Sequence, residues 1–96
     1  MAFVQVHKAT TITREQIDTI NREWVPQTFS RGLLSVIGGQ TAGGTRYYIE
    51  VWESEETCHR AMETFMPVAA RLGLTADDFV TEEFEVEDLL GALQPA

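Results

Sequence analysis

The chain has 96 residues, of which 44% are hydrophobic and 23% are charged, and its formal net charge is −8. The length predicts one domain, residues 1–96, near the small end of what folds unaided. The acidic balance and the scattered basic residues argue against nucleic-acid binding and against an anionic membrane surface, because both need clustered lysine and arginine. No stretch is apolar enough to span a membrane, no signal peptide is visible, and the single cysteine cannot form an internal disulfide. We therefore expect a cytoplasmic protein.

The first third of the chain predicts a strand followed by a helix. Residues 3–8 alternate in the way of a strand, with two valines on one face. The other face is mixed and carries Phe3, Gln5 and His7. The Thr13-Arg-Glu-Gln16 string has the form of a capping box, which fixes a helix start, and apolar residues follow at helical spacing. Pro26 predicts a break or kink of this helix at Val25.

The middle of the chain predicts two strands joined by a hairpin. Residues 33–37 are apolar on both faces, which predicts a strand buried from both sides. Residues 38–44 are rich in glycine and predict the connection, with glycines supplying the positive φ that such loops need. Residues 46–52 alternate as the third strand. One of its faces carries Tyr48, Glu50 and Trp52.

A second helix and a last strand complete the chain. Ser54 is a good N-cap, and an apolar stripe follows at helical spacing. The stripe comprises Cys58, Ala61, Met62, Phe65, Met66 and Ala69. Pro67 either kinks this helix or starts a second short one that ends before Gly73. Residues 79–86 predict a strand whose acidic face meets water and does not bind a cation, and residues 88–96 predict a short tail.

The order strand, helix, strand, strand, helix, strand predicts a ferredoxin-like α+β fold. Its simplest closed form is a four-stranded antiparallel sheet with both helices on one face. The other face would then meet water, yet the second and third strands offer apolar residues on both faces. We therefore predict a homodimer joined face to face through its sheets.

The string Tyr47-Tyr-Ile-Glu-Val-Trp-Glu-Ser-Glu-Glu56, followed by a helix ending in Ala-Arg-Leu-Gly73, resembles the dimeric α/β-barrel superfamily. More narrowly, the chain resembles the small proteins of the antibiotic-biosynthesis-monooxygenase (ABM) group. The resemblance implies a dimer whose two sheets form a barrel and a cavity in each subunit between sheet and helices. It also implies a range of activities that includes cofactor-independent oxygenases of phenolic polyketides, haem-degrading oxygenases, cyclases and isomerases, together with proteins of no known activity.

The residues that haem-degrading relatives use are only partly present. The resemblance places Trp52 at a cavity-lining tryptophan of those relatives. His7 stands where they have an asparagine, and Glu63 lies near the place of their iron-binding histidine. This broken set disfavours haem degradation, and we expect no tightly bound cofactor.

His7 and Glu50 are the candidate catalytic pair. The first and third strands are neighbours in the predicted sheet, so their mixed faces align and place the two side chains among aromatic residues. A neutral histidine beside a carboxylate can act as a general base towards an acidic phenol or enol. The alternative is that the two groups only satisfy each other at a strand edge or a dimer interface.

Several further side chains are candidates for binding a substrate. They are Trp52, Tyr48, Trp24, His59, Phe65, Met62 and Met66. Core packing explains the apolar members equally well, because the stripe requires apolar residues at these positions, and His59 fits a half-exposed surface histidine. Two histidines on separate elements, with no third ligand spaced beside them, predict no metal site.

Together these patterns favour a homodimer that binds a hydrophobic or aromatic, polyketide-like small molecule. We expect a cofactor-independent monooxygenase, cyclase or isomerase, with His7 as base and Trp52 shaping the pocket. The alternatives are a non-catalytic dimeric binding or accessory domain and, less favoured, a haem-binding protein.

Overall fold

The computed structural model describes residues 2–88 and confirms the predicted order of elements. These residues form four strands and three helices, with short 3-10 turns at Phe29–Arg31 and Ala76–Asp78. The elements are β1 (Phe3–Ala9), α1 (Arg14–Glu23), α2 (Val25–Thr28), β2 (Leu33–Gln40), β3 (Arg46–Trp52), α3 (Glu55–Arg71) and β4 (Val80–Glu85). The predicted tail at 88–96 lies almost wholly outside the described residues. No helix within residues 2–88 is long and apolar enough to cross a membrane.

The sheet is antiparallel and has the strand order β2-β3-β1-β4. This order is that of the predicted ferredoxin-like split βαβ fold. β1 lies at the centre, where His7 pairs with Tyr48 of β3 on one side and with Thr81 of β4 on the other. Because side chains alternate along each strand, all three of these residues lie on the same side of the sheet, which the helices cover.

Local sequence signals account for the helix boundaries. Thr13 and Gln16 form the predicted capping box at α1, and Ser54 caps α3 by accepting a hydrogen bond from the backbone of Thr57. α1 ends at Glu23 and α2 begins at Val25, so the predicted break before Pro26 is observed.

α3 runs as one helix through Pro67, so no second helix starts at that residue. The helix ends at Arg71, and Gly73 follows with the left-handed φ of 74° that commonly terminates helices.

The second strand differs from its prediction. β2 lies at the edge of the sheet, and its side chains are mostly exposed in the single chain, including Leu34 at 53% and Ile37 at 49%. The prediction of burial from both sides is therefore wrong for the single chain, because no element of residues 2–88 covers the open face, the side of the sheet opposite the helices. The open face is the surface on which the dimer prediction depends.

The hairpin is also tighter than predicted. β2 extends to Gln40, so Gly38 and Gly39 belong to the strand, and within the connection only Gly44 has a positive φ, of 95°. The two strand glycines leave the backbone uncovered beside β3, where a Cβ on Gly38 would lie 3.6 Å from the ring of Tyr48.

Both faces of β4 are exposed in the single chain. Its apolar residues Val80 and Phe84 lie on the open face and are 61% and 52% exposed. Thr81 and Glu83 lie on the helix-covered side, where they hydrogen-bond to side chains of β1. The predicted acidic face therefore meets water, and it also has polar partners on β1.

Two tryptophans form the centre of the core. Trp24 of α1's C-terminus and Trp52 of β3 are fully buried, and their ring centroids lie 6.2 Å apart. Trp24 also packs edge-on against Phe65 of α3 at 5.1 Å. Buried aromatic side chains of this size contribute much of the stability of a core. The two contacts of Trp24 therefore connect α1 and α3 to the sheet.

Gly32 occupies a position that only glycine fits. It ends the turn before β2 with a φ of 105°, and an added Cβ would lie 2.8 Å from the Cβ of Thr57. We expect Gly32→Ala to lower the free energy of unfolding by about 1–3 kcal/mol, because a left-handed conformation is unfavourable for alanine and Thr57 must move. Urea unfolding followed by circular dichroism measures the change.

Gly43→Ala is the matched control. Gly43 does not have a positive φ, and its added Cβ would have only an ordinary contact at 3.9 Å. Its stability should stay the same or rise by up to about 1 kcal/mol. Equal losses in the two variants would contradict the assignment of strain to Gly32.

Candidate functional site

A cavity of about 200 Å³ lies between the sheet and the helices. Its wall is largely apolar and includes Ile12, Ile17, Ile20, Trp24, Met62, Phe65, Met66, Ala69, Leu74 and Phe79. Its polar lining comprises His7, Arg46, Tyr48, Glu50, Thr75 and Thr81. An engineered apolar cavity of about 150 Å³ in another protein holds benzene, so this one has room for an aromatic ring.

His7 stands between two hydrogen-bonding partners from neighbouring strands. Its Nε2 lies 3.3 Å from Oε1 of Glu50, and its Nδ1 lies 2.9 Å from Oγ1 of Thr81. The ring of Phe79 meets the imidazole edge-on, with centroids 6.0 Å apart. The central position of β1 explains the arrangement, because β3 and β4 each deliver one side chain to the same side of the sheet.

Glu50 is a buried carboxyl group, with only 2% of the residue exposed. Its Oε1 accepts a hydrogen bond of 3.3 Å from Nε1 of Trp52, two residues along the same face of β3. An ionised carboxylate only accepts hydrogen bonds, so Nε2 of His7 then carries the proton that faces Glu50. In this tautomer Nδ1 of His7 is the basic nitrogen, and it can accept a hydrogen bond from the hydroxyl of Thr81.

Tyr48 is held as a hydrogen-bond donor. Its hydroxyl donates to Oδ1 of Asn21 at 2.6 Å, which ties β3 to α1 at the cavity wall. Burial, and then the charge of Glu50, raises the pKa of Tyr48 well above the ordinary value for a phenol. The side chain therefore stays neutral at physiological pH and cannot serve as a phenolate base.

A surface groove lies beside the cavity and shares its wall. The groove measures about 360 Å³ and is bordered by α1, β2 and β3. Ile17, Arg46 and Tyr48 line both hollows. The hydrogen bond between Tyr48 and Asn21 therefore lies where the two meet.

The structure brings together seven of the nine predicted site residues. The cavity lining includes His7, Glu50, Tyr48, Trp24, Met62, Phe65 and Met66. The other two are placed differently, which corrects the expectation that they line the pocket. Trp52 is fully buried behind Glu50 in the closed core between Phe3 and Leu33, so it supports the carboxyl group without lining the cavity.

His59 lies away from the cavity, on the flank of α3 that faces β4. Its Nε2 is 2.9 Å from Oε2 of Glu83, and its ring meets Phe3 edge-on. Cys58 is its neighbour in the chain, and the thiol, the imidazole and the carboxylate of Glu83 have ligand atoms within 4.8 Å of one another. No metal-binding motif is visible in the sequence here, because the third group lies on a strand that is distant along the chain.

Thr81 and Arg46 line the cavity and Asn21 lines the neighbouring groove, but none of the three was predicted as a site residue. Thr81 could have been found from alternation, because it lies on the same side of β4 as Glu83 and opposite His7 in the register of this fold. Asn21 lies on the same side of α1 as Ile17, which the helical spacing shows. No sequence pattern marks Arg46, since its role depends on where the hairpin ends.

No family model and no curated protein matches this chain. Similar solved structures exist. Rv0793 from Mycobacterium tuberculosis has a TM-score of 0.74 and 13% identity, with 95% of this chain and 100% of that chain covered. SnoaB from Streptomyces nogalater, a cofactor-independent oxygenase, has a TM-score of 0.69 and 13% identity over 95% of this chain and 97% of its own. The ActVA-Orf6 monooxygenase of Streptomyces coelicolor, in complex with nanaomycin D, has a TM-score of 0.67 and 17% identity over 99% and 93%.

The chain shares the ABM-like fold of these proteins. Candidate antibiotic biosynthesis monooxygenases from other bacteria also match across nearly the whole chain. The resemblance predicted from the Trp-Glu-Ser-Glu-Glu string is therefore confirmed at the level of the fold. Sequence identities of 13–17% establish a shared fold but not a shared activity.

The raised pKa of Tyr48 predicts a specific dependence of stability on pH. The folded state holds the phenol proton more tightly than the unfolded state, so the stabilisation is present below about pH 10 and is lost as pH rises further. We expect the unfolding midpoint in urea to fall more steeply between pH 9 and pH 11 (roughly one unit either side of the ordinary phenol pKa) for the wild type than for Tyr48→Phe. The same pH dependence in both proteins would contradict this account of Tyr48.

Proposed function

We propose that this protein binds a small hydrophobic or aromatic molecule in the cavity and removes a proton from it. The substrate is a phenol, an enol or an enolisable ketone of the polyketide type. His7 is the base, and Glu50 and Thr81 orient it. Deprotonation of such a molecule is the first step of cofactor-independent oxygenation, of ring closure and of isomerisation, so the proposal covers these three reaction types.

The observation that carries the proposal is the chain of hydrogen bonds from Glu50 through His7 to Thr81 at the wall of an apolar cavity. Glu50 holds the Nε2 proton, and Nδ1 faces the hydroxyl of Thr81. A substrate hydroxyl that displaces this Thr81 contact, or passes its proton through it, reaches the basic nitrogen. The imidazolium that forms is then stabilised by the carboxylate behind it.

The cavity favours a substrate with one or two rings. About 200 Å³ is below the usual range of about 300–1,000 Å³ for pockets that hold drug-sized ligands. Its walls combine two aromatic side chains, Trp24 and Phe65, with flexible methionines that can adjust to a planar molecule. The similarity of fold to SnoaB and to the monooxygenase bound to nanaomycin D supports the same class of ligand.

A non-catalytic binding role is the alternative, and one observation favours it. Both nitrogens of His7 already have partners within hydrogen-bonding distance in the free chain, so the polar network is satisfied without a substrate. In this role the cavity would bind the same ligands, but His7 would only complete the network. Proton transfer to His7 distinguishes the two roles.

We expect the wild type to speed the exchange of the α-protons of an enolisable aryl ketone such as 2-tetralone for deuterium in D2O. His7→Gln should lower this exchange rate by about 10²–10⁴-fold, the usual contribution of a positioned base. Glu50→Gln should also slow it, because an amide stabilises an imidazolium less well than a carboxylate. Proton NMR follows the exchange, and quenching of tryptophan fluorescence by 1-naphthol follows binding.

The matched control is His59→Gln, which alters the other of the two histidines and lies outside the cavity. With EDTA present, its exchange rate should equal that of the wild type. Binding of 1-naphthol without any faster exchange by the wild type would contradict the catalytic proposal and support the binding role.

The proposal includes a homodimer formed through the open face. In the single chain this face exposes a continuous apolar surface from the edge strand β2 to the edge strand β4. Its exposed apolar residues include Ile37, Val80 and Phe84. Apolar area of this kind on a small domain is typical of a covered interface, and no helix among residues 2–88 packs on this face.

We expect the wild type to sediment as a dimer at micromolar concentration, and Phe84→Glu to shift it to the monomer. The introduced carboxylate would be buried without a partner in each half of the interface. Phe29→Glu is the control, because Phe29 is similarly exposed but lies beside α2, away from the open face. Analytical ultracentrifugation measures both. A monomeric wild type, or equal dissociation of the two variants, would overturn the interface.

A further inference from the structure

A cluster of metal-ligating groups lies outside the cavity, where α3 meets β4. Cys58 and His59 are consecutive residues in the second turn of α3, and Glu83 lies in the middle of β4. The cysteine is fully buried, whereas the side chains of His59 and Glu83 are 51% and 34% exposed. The cluster therefore has a buried floor and a polar rim through which an ion can enter.

The donor set and its spacing fit zinc. A thiolate, an imidazole nitrogen and a carboxylate oxygen are the three ligand types that zinc takes in proteins, at about 2.0–2.3 Å each. Nε2 of His59 and Oε2 of Glu83 are 2.9 Å apart, and all three ligand atoms lie within 4.8 Å of one another. Ligands around a tetrahedral zinc stand roughly 3.3–3.7 Å apart, so side-chain adjustments of about 1 Å would bring them into place.

Gln5 supplies an independent observation at the same place. Gln5 is only 5% exposed, and its Nε2 donates a hydrogen bond to Oε2 of Glu83 at 2.8 Å. Its Oε1 is buried and has no hydrogen-bond partner among the described residues. The hydrogen bond from Nε2 therefore fixes the position of Glu83 at the edge of the cluster.

The charges of the ligands would balance that of the ion. A divalent ion bound here would displace the proton of the Cys58 thiol to solvent and would be held by the resulting thiolate and by the carboxylate of Glu83.

We propose that Cys58, His59 and Glu83 bind one zinc ion, with Gln5 holding Glu83 in place and the fourth coordination position open to solvent. The ion would tie α3 to β4 and so stabilise the fold by mass action. The site is separate from the cavity, since none of its three ligands lines the cavity wall. It does not depend on the proposed proton transfer at His7.

Cobalt(II) provides the test, because it replaces zinc and its absorption reports the ligands. Untagged, reduced protein freed of metal with EDTA and then dialysed should bind one cobalt ion per chain. The complex should show a near-ultraviolet thiolate charge-transfer band and intense visible bands typical of four-coordination. Added zinc should remove both, and zinc should raise the midpoint of thermal unfolding.

Variants separate the three ligands from the surrounding charge. Cys58→Ser should abolish the charge-transfer band, and His59→Gln and Glu83→Gln should each weaken cobalt binding by at least about tenfold. Gln5→Leu should weaken it by about 10–100-fold, the usual effect of losing a group that orients a ligand. The matched control is Glu82→Gln, which removes the same charge one residue away on the open face and should leave binding unchanged.

Three results would overturn the proposal. The first is no cobalt binding to the folded wild-type protein, and the second is binding without a charge-transfer band. The third is an equal effect of Glu83→Gln and Glu82→Gln on cobalt binding. Circular dichroism confirms that each variant is folded, and His59→Gln, a change at an exposed side chain, keeps the test decisive if Cys58→Ser does not fold.

Discussion

The central position of β1 is the constraint on which both sites depend. This strand pairs with β3 and β4 at once, so each of its helix-facing residues meets side chains from two directions. His7 meets Glu50 and Thr81, and Gln5 meets Glu83. Because the side-chain period of a strand is two, a slip of one residue would carry Glu50 to the open face in the β1–β3 pairing, or Thr81 and Glu83 in the β1–β4 pairing.

Glu50 shows how a costly group is kept in an apolar core. Burying a carboxyl group is unfavourable unless hydrogen bonds replace its water. Trp52 and His7 supply two such contacts to the same oxygen, and Trp52 is itself held by the packing of Trp24. The tryptophan therefore combines two roles, as the largest apolar residue of the strand and as the hydrogen-bond donor that fixes the carboxyl group.

The sequence predicted the fold well because its signals are local and mutually consistent. Alternation placed β3 at its observed bounds, and the caps at Thr13 and Ser54 began both long helices. Faces were predictable, and His7 and Glu50 were brought together on that basis. The depth at which a side chain is buried was not predictable. Alternation shows on which side of the sheet Trp52 lies, but only the packing of the helices shows that it lies behind the cavity. The cluster at His59 was missed because Cys58 and Glu83 are distant in sequence, and their meeting depends on the helix crossing the sheet.

Tyr48 is the partition between the internal cavity and the neighbouring groove. One hydrogen bond, to Asn21, holds this ring in place, and the glycines of β2 leave the space on its outer side free of side chains. Rotation of one ring would thus join the two hollows into a single corridor that runs from the helix layer to the edge of the sheet. For the ligand proposed above, one side chain, and not the backbone, would then set the length that the cavity can hold.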